Sequence, residues 1–423
     1  MTSGVPAPRA TDRATVVPAA SSRGGLAGIA GGCFALFVAT LPLAIAPMNI
    51  AAGLCAVATL AVWLTRPGPR WVSSPVDRPA IAWLAAMGLA TALAADPAAS
   101  VPGLGKGLIP AATGLAAWHA TDRRRGAAAI AALLAVGSIA ALWGCARFFA
   151  AGGKFPARAI GFSGSWMTFG LQMMVLVSLA IGIAIAAPSR AWRAGAIAAG
   201  LAGAAAVALS FTRCAWLGLA AAIAAILGLR RPWALILLAL AVAVTTLALP
   251  GDFGDRLRSA FDPAHPSSRE RAMMWQAGAR LFRDHPVTGV GLVNLRPLLD
   301  RYRSPMASEH PAHLHDSYLQ AAVTTGAIGL VAFLALCVGL LRASGSGPPG
   351  LRRGRGLAAG VRLGVTAGVA GLLVAALFDH AFGDEPLLFL IFTLAGIAWA
   401  SRGWSEGPDA GAPAPHPRGS HPA

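Results

Sequence analysis

Long apolar runs set the pattern of the chain, and short polar connections separate them. Crossing a bilayer takes about 20 apolar residues. Twelve runs reach or approach that length: 26–45, 47–65, 79–95, 102–120, 127–149, 166–187, 194–211, 214–229, 232–250, 317–341, 361–380 and 385–401. The fourth carries Lys106 and Pro110, and the eighth is short and begins beside Arg213, which makes these two the weakest. The pattern predicts an all-α, polytopic membrane helical bundle of about 12 transmembrane helices. Residues 1–24 read as a disordered, uncleaved cytoplasmic arm, 25–402 as the membrane domain, and 403–423 as a disordered cytoplasmic tail. One connection, 251–316, is long enough to hold short helices of its own.

Composition narrows the class. Hydrophobic residues make up 56% of the 423 and charged residues only 12%, whereas soluble domains carry about 25% charge. Several water-facing domains are therefore excluded, as are a largely disordered chain, collagen and a disulfide scaffold. The net charge is +17, and Lys106 and Lys154 are the only lysines among 34 basic residues. The bases fall in short clusters between apolar runs, not on one continuous face, which argues against nucleic acid as a partner. Cys33, Cys55, Cys145, Cys214 and Cys337 lie in or beside apolar runs with no CxxC pair, so they read as small buried residues.

The clusters follow the positive-inside rule when the N-terminus is cytoplasmic. Inside connections then hold Arg66, Arg70 and Arg78; Arg123, Arg124 and Arg125; Arg190 and Arg193; Arg230 and Arg231; and Arg342, Arg352, Arg353, Arg355 and Arg362. Short outside connections hold only Lys106, then Arg147, Lys154 and Arg158, then Arg213. An even number of spans places the C-terminus inside as well. The segment 251–316 falls outside despite nine arginines, as long loops can. It also holds five of the nine histidines.

That loop is where chemistry is expected. Arg offers a planar, permanently charged fork for phosphate oxygens. Arg213, between two apolar runs, is costly at membrane depth unless it is paired or lines a wet cavity, so a phosphate-binding role is the better reading of it. Ser267 or Ser268 can cap an amphipathic helix in which Met274, Trp275, Gly278 and Leu281 recur at helical spacing. Such a helix would lie along the membrane, with Trp275 as an interface anchor, and His285 before Pro286 can cap its end. Gly289 and Gly291 then turn the chain. His315, at the mouth of the tenth run, can take a proton from a sugar hydroxyl near neutral pH. Asp316 is adjacent but would not face it. His313 and His315 have no carboxylate cluster at metal spacing, so no metal site is expected.

Five segments resemble the O-antigen ligase/polymerase family of bacterial membrane proteins. They are Ser165-Trp166-Met167-Thr168-Phe169-Gly170-Leu171-Gln172; Thr212-Arg213-Cys214-Ala215-Trp216-Leu217-Gly218; Arg271-Ala272-Met273-Met274-Trp275 with Arg283 to Gly291; His315-Asp316 followed by Gly326-Ala327-Ile328-Gly329; and Asp379-His380-Ala381-Phe382-Gly383-Asp384-Glu385. Two depart from the family pattern: a His is missing before Trp166, and Asp316 stands where an amide or Ser is usual. The resemblance spans roughly 160–400, with the motifs in the expected order.

The resemblance implies a GT-C-like, inverting, metal-independent glycosyltransferase without cofactors, in the bacterial inner membrane. Its donor would be an undecaprenyl-diphosphate-linked glycan and its chemistry periplasmic. Arg213 and Arg271 would grip the diphosphate, with Arg269 a near competitor for the second role. His315 would be the general base, with His313, Asp316, Tyr318 and Asp384 as supporting residues. The acceptor would be lipid A core for a ligase, as in lipopolysaccharide biosynthesis, a lipid-linked repeat for an O-antigen or exopolysaccharide polymerase, or a protein for an oligosaccharyltransferase. The ligase is favoured by the His315 motif and the single large loop. A transporter or flippase for lipid-linked glycans is the rival from another class, and most spans lack the central charges it would need.

Overall fold

The structure, a computed structural model, describes residues 25–65, 68, 70–187, 189–236, 239, 251–259, 262–345 and 354–404. The arm 1–24, most of the ninth run and nearly all of the tail lie outside the described residues. Every described element is helical: α1 (Gly25–Thr40), α2 (Ile45–Thr65), α3 (Asp77–Ala92), α4 (Ala112–Ala120), α5 (Arg123–Ala150), α6 (Trp166–Ala186), α7 (Arg190–Leu209) and α8 (Arg213–Arg230). The large connection holds α9 (Gly251–Arg258), α10 (Pro266–Asp284) and α11 (Arg296–Tyr302), and α12 (Ser317–Ser344), α13 (Leu357–Ala375) and α14 (Glu385–Ala400) follow.

Among the described residues, seven helices are long and apolar enough to cross a membrane, and Gly25–Thr40 and Arg213–Gly228 are shorter apolar helices. The chain is a multi-pass membrane protein. The run 102–120 is not one α-helix. A 3-10 helix over Val101–Ala111 precedes α4, because Gly103, Gly105 and Gly107 weaken the α-helix and Pro110 removes a donor within it. At the other end of the chain Trp404 is buried and donates its indole N–H to Ala120 O at 2.7 Å, so an ordered contact ends the described chain.

α6 is the central helix, buried on nearly all sides between α7, α8 and α13. Without a hydrophobic difference between lipid and protein, such helices associate through close backbone packing. At the α8–α13 crossing a Cβ on Gly371 would overlap the Gly218 carbonyl, so glycine sets the spacing there. That crossing places the first turn of α8, and with it Arg213, beside the end of α13.

α12 is broken at Gly326, whose φ of 65° and ψ of −168° leave the helical region. The chain leaving α10 fills the break: Ala327 N donates to Pro286 O at 2.8 Å, Val290 N to Val323 O at 3.0 Å and Gly291 N to Thr324 O at 3.0 Å. Backbone groups freed by the break are thus paired within the protein, as an apolar setting demands. The two glycine-bearing motifs, 283–291 and 315–329, are one interlocked unit. It fixes the first half of α12 against α10.

α10 differs from its sequence reading in two respects. Its N-cap is His265, not Ser267 or Ser268; Ser267 N donates to His265 Nδ1 at 3.3 Å, and Pro266 occupies the first turn. Its apolar face, Met274, Ala277 and Leu281, packs on Leu295, Leu299, Leu314 and Val323 from α11, α12 and the segment before α12. Trp275 is no free interface anchor: its indole N–H donates to Leu314 O at 3.0 Å. His285 caps the C-terminus as expected, its backbone N–H reaching Leu281 O and Phe282 O.

Candidate functional site

Polar side chains converge where α6, α8, α12 and α14 begin and α13 ends. Asp316 caps α12, accepting from Tyr318 N and Leu319 N at 2.8 and 2.9 Å. Asn, Ser and Asp all serve as N-caps, so the family's amide or Ser at this position and the Asp here do one job. The cap leaves His315 just outside the helix, in a left-handed conformation with φ of 46°. A histidine adopts this conformation only at a cost, and two contacts hold it there. Ser317 N donates to Ala376 O at 2.8 Å, and Ser317 Oγ donates to Asp379 O at 3.0 Å.

Asp379 receives the imidazole, with His315 Nδ1 3.1 Å from its Oδ1. The carboxylate is buried, 6% exposed, and also accepts from His380 N at 2.9 Å. Burial works to raise its pKa, but the His315 hydrogen bond, the His380 N–H and the charge of Arg271 outweigh it, and the carboxyl is held below its ordinary value. An Nδ1–H donated to a carboxylate leaves Nε2 as the basic nitrogen. The sequence placed Asp379 in a motif but gave it no role.

Four arginines gather near Asp379. Arg213 Nη1 donates to Ser259 O at 2.6 Å and Nη2 to Ser267 Oγ at 2.6 Å, which ties α8 to the loop helices. Its charge is felt with those of Arg256 and Arg271. Arg158 lies over Trp166 at 4.8 Å and Phe155 at 5.3 Å, and Arg256 over Phe155 at 5.5 Å. Burial lowers the Arg256 guanidinium from its ordinary value, aided by Arg158 and Arg271, and burial with Arg213 lowers Arg158. Among the described residues none of the four forms an ion pair. Four such half-buried like charges, of which only Arg271 feels the Asp379 carboxylate, repel one another, and a bound anion relieves that repulsion. Cys214, next to Arg213, lies 3.9 Å from Asp379 Oδ2, so the arginine group and the His315 pair are contiguous.

The expected site residues divide accordingly. Arg213, Arg271 and His315 come together. Arg269 is exposed on the first turn of α10 and is not among the charges acting on Arg213 or Asp379. Tyr318 donates its hydroxyl to Leu373 O at 2.9 Å and ties α12 to α13. Asp384 accepts from the Thr168 hydroxyl, which links the first turn of α6 to the start of α14. Burial raises its carboxyl to about 6, against the Thr168 bond. The His313 ring lies tilted to its neighbours, 4.3 Å from the His315 ring and 5.5 Å from that of His380. Burial pushes His313 down to about 4 and His380 down to about 3, so both are neutral near pH 7. Among the described residues no group of three His, Cys, Asp or Glu side chains is arranged for a metal ion.

Beside this cluster lies a cavity of about 320 Å³, lined by Lys106, His313 and His380 at one end and by Trp83, Phe333 and Phe392 elsewhere.

Residues 196–334 match the family model described as O-antigen ligase. The match contains Arg213, the whole large connection, His315, Gly326 and Gly329, and stops short of Asp379. No curated protein matches the chain. Over residues 196–334, about a third of its length, and within a helical membrane architecture, the chain is similar to the O-antigen ligase family.

Proposed function

We propose that the chain transfers a glycan from undecaprenyl diphosphate to an acceptor hydroxyl at the periplasmic face of the inner membrane, the acceptor being lipid A core. One observation carries the reading: a group of four arginines with no ion pair among the described residues, Arg158, Arg213, Arg256 and Arg271, meets the Asp379–His315 pair at one end of the helices. The positive-inside pattern supports the sidedness and the cytoplasmic termini.

The chemistry follows from those groups. The diphosphate sits among the guanidinium groups, which offer fixed forks and suffer less mutual repulsion once it is bound. His315 Nε2 takes the proton of the acceptor hydroxyl as its oxygen attacks the anomeric carbon. The bond from that carbon to the phosphate oxygen breaks, and its electron pair leaves on the diphosphate, where the arginines stabilise the developing charge. Attack opposite the leaving group inverts the anomeric centre. Asp379 stabilises the imidazolium that forms, which then releases its proton to solvent. The arginines supply the positive charge that a divalent ion supplies to diphosphate chemistry elsewhere. A carrier would need charged groups along a passage, whereas these polar side chains gather at one end of the helices.

Reconstitution tests the reading. The full chain in bilayers receives an undecaprenyl-diphosphate-linked glycan and either lipid A core or a second lipid-linked repeat. Glycosylated lipid A core with released undecaprenyl diphosphate is expected. Extension of the lipid-linked repeat instead would make the chain a polymerase, and consumption of neither acceptor would contradict the proposal.

A further inference from the structure

The cavity beside the histidines is not needed to explain the arginine group or the Asp379–His315 pair. It lies between α3, the 3-10 helix, α12 and the start of α14, and its volume is about 320 Å³. Most of its wall is apolar. Trp83 packs against Phe333 at 5.5 Å, and Phe333 meets Phe382 edge-on at 4.9 Å. The outer faces of α3 and α12 carry exposed Ile81 and Val331, so the cavity lies just inside helices with apolar exteriors.

The other end is polar in a specific way. Lys106 is the one cation among the lining residues, and no carboxylate lines the cavity. Its Nζ donates to Gly383 O at 2.5 Å, which anchors the amine and leaves two of its three protons. His313 and His380 are neutral hydrogen-bonding groups, and His380 Nδ1 is buried with no partner among the described residues. One cation, neutral imidazoles and an aromatic wall together fit a head with hydroxyls and one anionic group, carried on an apolar body.

The cavity also approaches the base by its own route. The arginines reach His315 through Cys214 and Asp379, whereas the cavity reaches it through His313. An inverting displacement needs the nucleophile and the leaving group on opposite sides of the reacting carbon. We infer that this cavity is the acceptor subsite, taking a phosphorylated, hydroxyl-bearing amphiphile whose phosphate meets Lys106. The inference rests on the transfer reaction proposed above. Lys106 lies outside the matched segment 196–334.

A binding experiment separates the two readings. The full chain in phosphatidylcholine nanodiscs is photolabelled with dodecyl glucoside 6-phosphate bearing a diazirine in its chain, and with the unphosphorylated counterpart. Labels are expected on peptides containing Trp83 or Phe333. Lys106→Gln should cut labelling by the phosphorylated probe about tenfold, the loss of one charge-assisted contact, and leave the other probe unmoved. Ala321→Phe, which fills the cavity, should reduce both. Equal labelling in Lys106→Gln, or labels elsewhere, would overturn the inference. So would displacement of the probe by phosphatidylglycerol, which would make the cavity a site for membrane lipid. In glycan transfer, Lys106→Gln should raise the acceptor KM about tenfold with the donor KM unmoved; the reverse would overturn the acceptor role. Cavity labelling in a chain that transfers no glycan would overturn the transfer reading, and the acceptor role with it, while the binding site stands.

Discussion

His315 Nδ1 lies 3.1 Å from Asp379 Oδ1, across 64 residues of chain. The contact joins the start of α12 to the connection between α13 and α14 and orients an imidazole already held at positive φ. Asp379→Asn keeps the shape and removes the charge that fixes the tautomer. It should lower kcat by about 10²–10⁴-fold with the donor KM little changed, by analogy with removing the orienting carboxylate of a hydrolase triad. Steady-state kinetics of both variables check this; wild-type kcat would remove Asp379 as the orienting group.

His315→Ala should abolish transfer and leave expression and donor binding intact, because His315 lies outside α12 and is not among the residues of the hydrophobic core clusters. A general base contributes about 10²–10⁴-fold. Transfer retained at the wild-type rate would exclude His315 as the base.

Arg213→Lys should also fail. Arg213 is splayed between Ser259 O and Ser267 Oγ, a two-pronged geometry that an ammonium cannot reproduce. The donor KM should rise about ten- to a hundredfold, the cost of losing a bidentate charged contact. A near-normal KM would leave Arg213 only a point-charge role.

Much of this site was legible in the sequence where one residue was out of place by itself. Arg213 between two apolar runs and His315 at the mouth of another are costly positions, and cost is readable without a structure. The pairing of His315 with Asp379 was not, because sequence distance hides contact. The one available hint was a carboxylate beside a histidine at the end of an apolar run. Arg158 and Arg256 read as ordinary loop bases, since only folding sets their guanidinium groups over Phe155 and Trp166. Arg269 and Arg271 have the same charge, and two residues of helix rotation separate an exposed position from one facing the site. The break in α12 was likewise invisible as a break. Gly326 and Gly289 could be read as turn residues, but not as the two sides of one interlock.

Gly326→Ala tests that interlock. A Cβ there would overlap the Val287 carbonyl, and φ of 65° is unfavourable for alanine. Strain and overlap together should cost about 3 kcal/mol or more, read as a lower melting temperature of the purified chain. An unchanged melt would contradict the threaded geometry.

Asp384→Asn should show a pH-dependent gain in stability. Burial raises the carboxyl from 3.8 to about 6 in the folded chain. A raised folded value means that its stabilising contribution is complete below the unfolded value and is lost as pH rises through the folded one. The melting temperature of the Asn variant relative to wild type should therefore increase as pH rises from the unfolded value of 3.8 to the folded value of about 6. A difference that stays flat across that window would contradict the burial of this carboxyl.

The account stands on the arginine group and the imidazole being two halves of one transfer site. The most direct measurement takes the full chain in bilayers with a labelled undecaprenyl-diphosphate glycan and reads donor binding and acceptor-dependent release of undecaprenyl diphosphate in the same sample. His315→Ala should bind donor like wild type and release no lipid diphosphate, and the double variant Arg213→Gln with Arg271→Gln should fail to bind. Release at the wild-type rate from His315→Ala, or unaltered binding by the double variant, would contradict it.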